Sequence, residues 1–332
     1  MKRKKLTASM IALVMSVSLP MTTYAANWYL EDGSVTVNAD NSGQTVTQGG
    51  TSTPDEAPVI TQRESSVETG NTITINAAEN ATANVTISDV NINTSGKSGK
   101  SEAAVSTNGK GNVNIELDGT NTLKSGRNHA GLEKNSDGNQ GKLTITDENE
   151  NGKLIATGGF DAAGIGGGYC GDGNDITIAG GKVTATGGSG SAGIGGGATG
   201  SGSNVTVSGA AQVTATAGKS NGYYGASATI GDGGNYTGGG IVDGEEIQAD
   251  IRGVTTGYIH HIIYEQDGTT IKREWWEPVR PQPNPENPQP NPEDPNAPAE
   301  ESNEVDLGTP GLHVETLEGD PLPFNARRQG ST

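Results

Sequence analysis

The stretch at residues 154–168, LIATGGFDAAGIGGG, decides the fold, because it returns 29 residues later as VTATGGSGSAGIGGG at 183–197. Each copy opens with alternating residues rich in Val, Ile and Thr and closes with a glycine run. This pattern is typical of short β-strands bounded by turns. The chain contains no proline between Pro58 and Pro278, so every residue there keeps the backbone N–H group that hydrogen bonds between strands require. A repeating all-β unit is therefore predicted.

Three kinds of segment recur in a fixed order. The first lies at 85–87, 113–115, 143–145, 176–178 and 205–207, the second at 154–157, 183–186 and 213–216, and the third at 163–168, 192–197 and 228–231. Because side chains alternate across a strand, one polar column should point outward and one apolar column inward. The predicted outward column is Thr86, Asn114, Thr144, Thr177 and Thr206. The predicted inward column is Val105, Leu132, Ile165, Ile194 and Ile230.

Three strands in roughly 30 residues fit one turn of a parallel β-helix, in which each turn stacks on the next. We expect the coil to be right-handed, as parallel crossovers usually are. A sandwich of short strands is the alternative, and the fixed order of the segments argues against it. The prediction is an all-β, right-handed parallel β-helix followed by a disordered proline-rich stalk.

Composition supports a thin repeat rather than a conventional core. Glycine accounts for 52 of 332 residues and aromatic residues for only 4%. The formal net charge of −18 argues against nucleic acid, whose binding requires neutralisation of phosphates. The single cysteine, Cys170, cannot form an intramolecular disulfide. We expect a monomer.

The ends of the chain predict export and display. Residues 1–25 have the basic start, short apolar stretch and small-residue cleavage site of a signal peptide, with an uncleaved anchor as the alternative. The mature chain should therefore lack a membrane span and be secreted or held on a bacterial cell surface. The predicted segments after it are N-terminal strands and cap (26–80), β-helix repeats (81–239), C-terminal β cap (240–277), proline-rich linker (278–298) and an acidic tail (299–332). The start of a truncated further domain is the alternative interpretation of this tail.

The sequence resembles Gram-positive exported proteins with a carbohydrate-binding domain, and a clostridial family of right-handed parallel β-helices that bind cellulose or acidic polysaccharides. The resemblance covers roughly residues 66–240 and is carried by NVTI at 84–87, LDGTNTL at 117–123 and the two AGIGGG runs. It implies a polysaccharide or host cell-surface glycan as partner and calcium on the rod. It assigns no individual binding residue.

Aromatic residues in the predicted loops are the candidate sugar platforms, because sugar rings stack on aromatic faces and their hydroxyls bond polar side chains. Local packing over the rod is the alternative for these aromatics, and plain solvated surface for the threonines. The candidate carbohydrate-binding residues are Phe160, Tyr169, Tyr223, Tyr224, Thr144, Thr177 and Thr206.

The acidic turns are the candidate places for calcium binding or catalysis. Asp172, Asn174 and Asp175 place three oxygen-bearing side chains in one turn, which suits Ca²⁺, with a solvated Asx-rich turn as the alternative. A glycoside hydrolase needs two carboxyl groups at a set separation, and the sequence shows no repeated pair of carboxylates of this kind. We therefore expect a carbohydrate-binding or adhesin module without catalysis. A polysaccharide lyase or hydrolase and a structural spacer without a discrete ligand stay open as alternatives.

Overall fold

The computed structural model describes residues 26–96, 101–134 and 141–278. The signal peptide, nearly all of the proline-rich linker and the acidic tail predicted from the sequence lie outside these residues. The described chain is a parallel β-solenoid of about six turns with ~31 residues per turn, so the predicted fold class is confirmed. One short 3₁₀ turn, Leu30–Asp32, precedes the second strand.

Twenty-six strands build the described chain. They are β1 (Asn27–Tyr29), β2 (Val35–Asp40), β3 (Gly43–Gln48), β4 (Thr51–Pro54), β5 (Val59–Thr61), β6 (Ile73–Ala77), β7 (Thr82–Ser88), β8 (Asn91–Asn93), β9 (Val105–Gly109), β10 (Asn112–Asp118), β11 (Thr120–Lys124), β12 (Leu132–Lys134), β13 (Leu143–Thr146), β14 (Lys153–Thr157), β15 (Ile165–Gly166), β16 (Gly173–Ile178), β17 (Lys182–Thr186), β18 (Ile194–Gly195), β19 (Gly202–Gly209), β20 (Gln212–Thr216), β21 (Ile230–Gly231), β22 (Asn235–Thr237), β23 (Gly240–Val242), β24 (Asp250–Val254), β25 (Tyr258–Tyr264) and β26 (Ile271–Glu277).

The strands form three long sheets and one small hairpin. Sheet 1 has the order β1-β5-β7-β10-β13-β16-β19-β24, and sheet 2 the order β8-β11-β14-β17-β20-β25-β26. Sheet 3 has the order β4-β3-β2-β6-β9-β12-β15-β18-β21, and β22 pairs with β23 alone. Successive turns pair in parallel, whereas β2-β3-β4 and β25-β26 are antiparallel hairpins at the two ends.

The core consists of in-register ladders of apolar side chains. Each ladder member covers its neighbour in the next turn, so burial extends along the whole solenoid. Burying one such aliphatic side chain contributes roughly 1.5–3 kcal/mol. The inward column predicted for sheet 3 is confirmed and is extended by β2 and β6. It comprises Val35, Ile73, Val105, Leu132, Ile165, Ile194 and Ile230, all at most 1% exposed.

The outward column predicted on sheet 1 is correct for four of its five members and wrong at Thr86. Asn114, Thr144, Thr177 and Thr206 lie in register. In β7 the residue opposite Asn114 is Asn84, whereas Thr86 lies opposite Glu116. A slip of two residues keeps every side chain on its own face, so alternation cannot fix this register. The Asn114 amide donates to Asn84 Oδ1 at 2.9 Å.

Glycine is abundant because the turns stack backbone on backbone. At Gly188, a Cβ atom would lie 1.8 Å from the carbonyl oxygen of Gly159 in the preceding turn. At Gly159 it would lie 1.9 Å from the carbonyl oxygen of Gly126, and at Gly218 1.7 Å from that of Gly188. Each of these corners therefore excludes any side chain.

Side chains replace the missing neighbour strand at both ends of the solenoid. At the N-terminal end, the Gln44 amide accepts from the Asn84 N–H at 2.9 Å and donates to the Asn84 carbonyl at 3.0 Å. At the C-terminal end, the Glu246 carboxylate accepts from the N–H groups of Thr229 (2.7 Å) and Ile230 (2.9 Å). These bonds satisfy backbone groups that would otherwise form an open edge.

Candidate functional site

Four aromatic side chains in loops that flank the short strands of sheet 3 form an aromatic patch: Phe160, Tyr169, Tyr223 and Tyr224. Phe160 is 48% exposed, Tyr169 42% and Tyr223 77%, and Tyr224 is partly buried. Large exposed apolar patches on monomeric proteins often mark interaction sites, so this group of exposed rings is the candidate site. All four are residues that the sequence predicted for sugar binding.

Backbone contacts hold Phe160 and Tyr169 at fixed positions beside each other. The Asn128 N–H donates to the Phe160 carbonyl at 2.9 Å, and the Asn128 carbonyl accepts from the Tyr169 N–H at 2.9 Å. Asn128 adopts φ 70°, a left-handed conformation that asparagine tolerates better than most residues. One residue of the preceding turn thus joins the two loops that flank β15.

Tyr169 and Tyr224 contact each other directly across the patch. Their hydroxyls are 2.7 Å apart, and their ring centroids are 6.1 Å apart with planes tilted by 53°. The hydrogen bond to Tyr224 raises the pKa of Tyr169 above its usual range, so the Tyr169 hydroxyl stays protonated near neutral pH. The pair offers two apolar ring faces around a shared polar centre.

The loop that carries Tyr223 and Tyr224 is ordered by Asn221. Its Oδ1 atom accepts from both tyrosine N–H groups at 2.9 Å, as in an Asx turn. Its Nδ2 atom donates to Asp161 Oδ1 at 3.2 Å. Gly190 lies beneath this loop, where a Cβ atom would come within 2.9 Å of the Tyr224 Cβ atom.

Two charged pairs border the patch. The Arg127 guanidinium lies over the Phe160 ring at 4.9 Å and 3.9 Å from an Asp161 oxygen. Burial raises the pKa of Asp161, and Arg127 only partly opposes this effect. His129 Nδ1 lies 2.9 Å from Glu133 Oε2, and this hydrogen bond raises the pKa of His129 although burial opposes it.

The threonine column lies on sheet 1 and is separate from the loops that carry the aromatic rings. Thr177 and Thr206 line a groove of about 340 Å³ together with Asp175, and Thr144 lines a neighbouring groove of about 400 Å³. Thr177 is only 7% exposed, so it is less accessible than an outward-pointing column suggests. The structure therefore divides the predicted sugar-binding residues between two surfaces.

The three predicted calcium ligands each bond to the next turn. Asp172 Oδ1 accepts from the Ser201 N–H at 2.7 Å, and Asn174 Oδ1 accepts from the Ser203 hydroxyl at 2.8 Å. Asp175 Oδ1 accepts from an Asn204 amide. In the described part of the chain, no group of three or more His, Cys, Asp and Glu side chains is placed to hold a metal ion. The calcium site stays a prediction.

Sequence reasoning missed the polar residues that organise the patch. Asn128 and Asp161 both have positive φ angles, and Asn221 forms the Asx turn. An Asn or Asp in a loop is a signal for such conformations, but Asp161 and Asn221 are 60 residues apart, and no local pattern pairs them.

Comparison with protein-family models, with curated proteins and with solved structures finds no match for this chain. Over residues 26–96, 101–134 and 141–278, no helix has the length and apolar character needed to span a membrane.

Proposed function

We propose that this protein is a secreted or cell-surface module that binds a polysaccharide or a host cell-surface glycan through the aromatic patch, without catalysing its cleavage. The observation that carries the proposal is the exposure of Phe160, Tyr169 and Tyr223 in loops held together by backbone and side-chain hydrogen bonds. Loops whose backbone is already ordered lose little conformational entropy when a ligand stacks on the rings that they carry.

The patch supplies both kinds of contact that a sugar needs. The ring faces can cover the apolar C–H faces of pyranose rings, and the paired hydroxyls of Tyr169 and Tyr224 can donate to and accept from sugar hydroxyls. Arg127 adds further donors at the edge of the patch, since its side chain is 69% exposed. A glycan chain could thus bind along the loops while the solenoid stays rigid.

Affinity electrophoresis of the full chain through gels that contain single polysaccharides tests this proposal. We expect retardation by one class among neutral glucans, uronate polymers and host glycans. Tyr223→Ala and Tyr169→Ala should each weaken binding about two- to tenfold, the range set by loss of one aromatic stacking contact.

Tyr29→Ala is the matched control, because Tyr29 lies in β1 at the N-terminal end and contacts Arg63 instead of the patch. This variant should bind as the wild-type protein does. Unretarded migration of the wild-type chain in every gel would contradict the proposal. So would retardation that is equal for the wild-type, Tyr223→Ala and Tyr169→Ala proteins.

A further inference from the structure

Asp161 is a buried carboxylate with few partners. Its residue is 5% exposed, and within the described residues its one side-chain hydrogen bond comes from Asn221 at 3.2 Å. The second carboxylate oxygen has only the Arg127 guanidinium, at 3.9 Å, which is beyond hydrogen-bond distance. An ionised carboxylate in such a place has one hydrogen bond and a small remaining contact with water in place of its full hydration shell.

Asp161 also connects the separate parts of the aromatic patch. It directly follows Phe160 in the chain, and its side chain bonds to Asn221, which orders the backbone of Tyr223 and Tyr224. Its carbonyl accepts from the Ala198 N–H at 3.1 Å. A shift of this one side chain would therefore reach the loop that carries two of the four rings.

We propose that Asp161 is a positioning residue that makes the glycan site respond to pH, with the protonated carboxyl closing the patch and the ionised carboxylate loosening it. This inference rests on the proposed function for its effect on binding. When Asp161 takes up a proton on Oδ2, Oδ1 still accepts from Asn221, and no charge remains buried. When it loses that proton, the carboxylate gains by moving towards water and Arg127, which breaks the bond to Asn221.

The direction follows from proton linkage. A buried carboxyl binds its proton more tightly than the same group exposed, so protonation favours the arrangement that buries it. Burial raises the pKa of Asp161 in this structure, against the weaker effect of Arg127. The site should therefore tighten as pH falls through the range in which Asp161 titrates.

The other groups near Asp161 do not reproduce this behaviour. The hydrogen bond to Tyr224 raises the pKa of Tyr169, so the Tyr169 hydroxyl does not titrate in the acidic range. His129 and Glu133 form the remaining titratable pair beside the patch, and they bond to each other. The bond to Glu133 raises the pKa of His129, and a variant of Asp161 separates the contribution of Asp161 from that of this pair.

Hydrogen exchange gives a readout that needs no glycan. Asp161→Asn keeps an oxygen for Asn221, removes the buried charge and suits the φ of 68°. At about pH 7, we expect the amides of Tyr223 and Tyr224 to exchange roughly three- to tenfold more slowly in this variant than in the wild-type protein. Equal or faster exchange in the variant would overturn the proposal.

Asp89→Asn is the matched control. Asp89 has a φ of 52°, and its Oδ1 atom accepts from the Thr120 N–H at 2.8 Å, away from the patch. This variant should leave exchange at Tyr223 and Tyr224 unchanged. If it slows exchange as Asp161→Asn does, the effect comes from net charge, and the proposed role of Asp161 is refuted.

A pH series of glycan binding completes the test on the polysaccharide that retards the wild-type protein. Wild-type affinity should rise roughly three- to tenfold as pH falls from neutral through the range in which Asp161 titrates, while the Asp161→Asn variant keeps the higher affinity throughout. A wild-type profile that is flat or falls on acidification would overturn the proposal. If the wild-type protein binds no glycan at any pH, the proposed function fails, and hydrogen exchange alone decides the role of Asp161.

Discussion

Replacing Gly188 by alanine should destabilise the solenoid severely, because the added methyl group has no space. The new Cβ atom would lie 1.8 Å from the carbonyl oxygen of Gly159, against a usual lower limit near 3.0 Å. That oxygen belongs to the backbone of the neighbouring turn and cannot rotate away as a side chain can. Two turns spaced by ~4.8 Å would have to separate by more than 1 Å.

The expected cost is a large share of the total stability. Overpacking of a core costs about 1–3 kcal/mol when side chains can adjust, and here only backbone can move. We therefore expect the free energy of unfolding to fall by about 3–5 kcal/mol, out of the roughly 5–15 kcal/mol that a typical domain has. Gly195→Ala should cost at least as much, because two effects combine there. The new Cβ atom would lie 2.2 Å from the carbonyl oxygen of Gly231, and residue 195 has a φ of 132°, which strains any residue with a side chain.

Two other glycines separate steric overlap from backbone strain. Gly50 has a φ of 82° but nothing within 4 Å of its Cβ position, and Gly96 has neither constraint. Alanine at Gly50 should cost about 1–2 kcal/mol from strain alone, and alanine at Gly96 should change stability by less than about 1 kcal/mol.

Denaturant titration of the full chain, followed by circular dichroism, ranks the four variants. Because repeat proteins can unfold in parts, hydrogen exchange of the strands next to each site should accompany the titration. We expect Gly188→Ala and Gly195→Ala to lower the free energy of unfolding far more than Gly50→Ala does. The value for Gly96→Ala should be nearest to that of the wild-type protein. A loss at Gly188 no larger than that at Gly96 would refute the account of why glycine is abundant.

Two buried ionisable groups lead to further predictions. Lys134 is 1% exposed, its Nζ atom has no hydrogen-bond partner among the described residues, and burial lowers its pKa although Asp175 opposes this. The free energy of unfolding should therefore rise as pH increases towards the ordinary pKa of lysine. In denaturant titrations, Lys134→Met should increase the free energy of unfolding by about 1–4 kcal/mol near neutral pH and abolish its rise with pH. Burial favours the neutral form of Glu246, but its hydrogen bonds from His261 and Thr229 lower its pKa overall. Glu246→Gln should cost about 1–3 kcal/mol near neutral pH and reduce the acid-dependent loss of stability below about pH 4.5, measured by thermal unfolding across pH.

Much of the solenoid could be predicted because its ladders repeat one residue type at one position. The ladder through Ile165, Ile194 and Ile230 is visible in the sequence, since each isoleucine follows a small residue at the same place in its segment. The register of Thr86 could not be fixed, because a slip of two residues preserves the alternation. There a direct bond between Asn114 and Asn84 accompanies the observed register.

The caps and the organisation of the aromatic patch were beyond the reach of periodicity. Gln44 and Glu246 act once each, at the two ends, where a side chain takes over bonds that backbone makes elsewhere. Asp161 and Asn221 meet only because intervening turns stack. The sequence named the aromatic rings as candidates by residue type, but their supporting bonds are long-range and follow from the complete coil.

The spacing of the ladder explains how the patch arises on this fold. Ile165 and Ile194 are 29 residues apart, whereas Ile194 and Ile230 are 36 apart, yet both pairs lie in register in sheet 3. The longer turn contains Tyr223 and Tyr224 together with the asparagine that orders them. Because the core needs only the in-register strands, a loop between them can lengthen without disturbing the ladder, and added residues collect on one side of the solenoid. A binding surface can thus be acquired by one insertion, while the ladder keeps the rings of neighbouring turns at fixed separations.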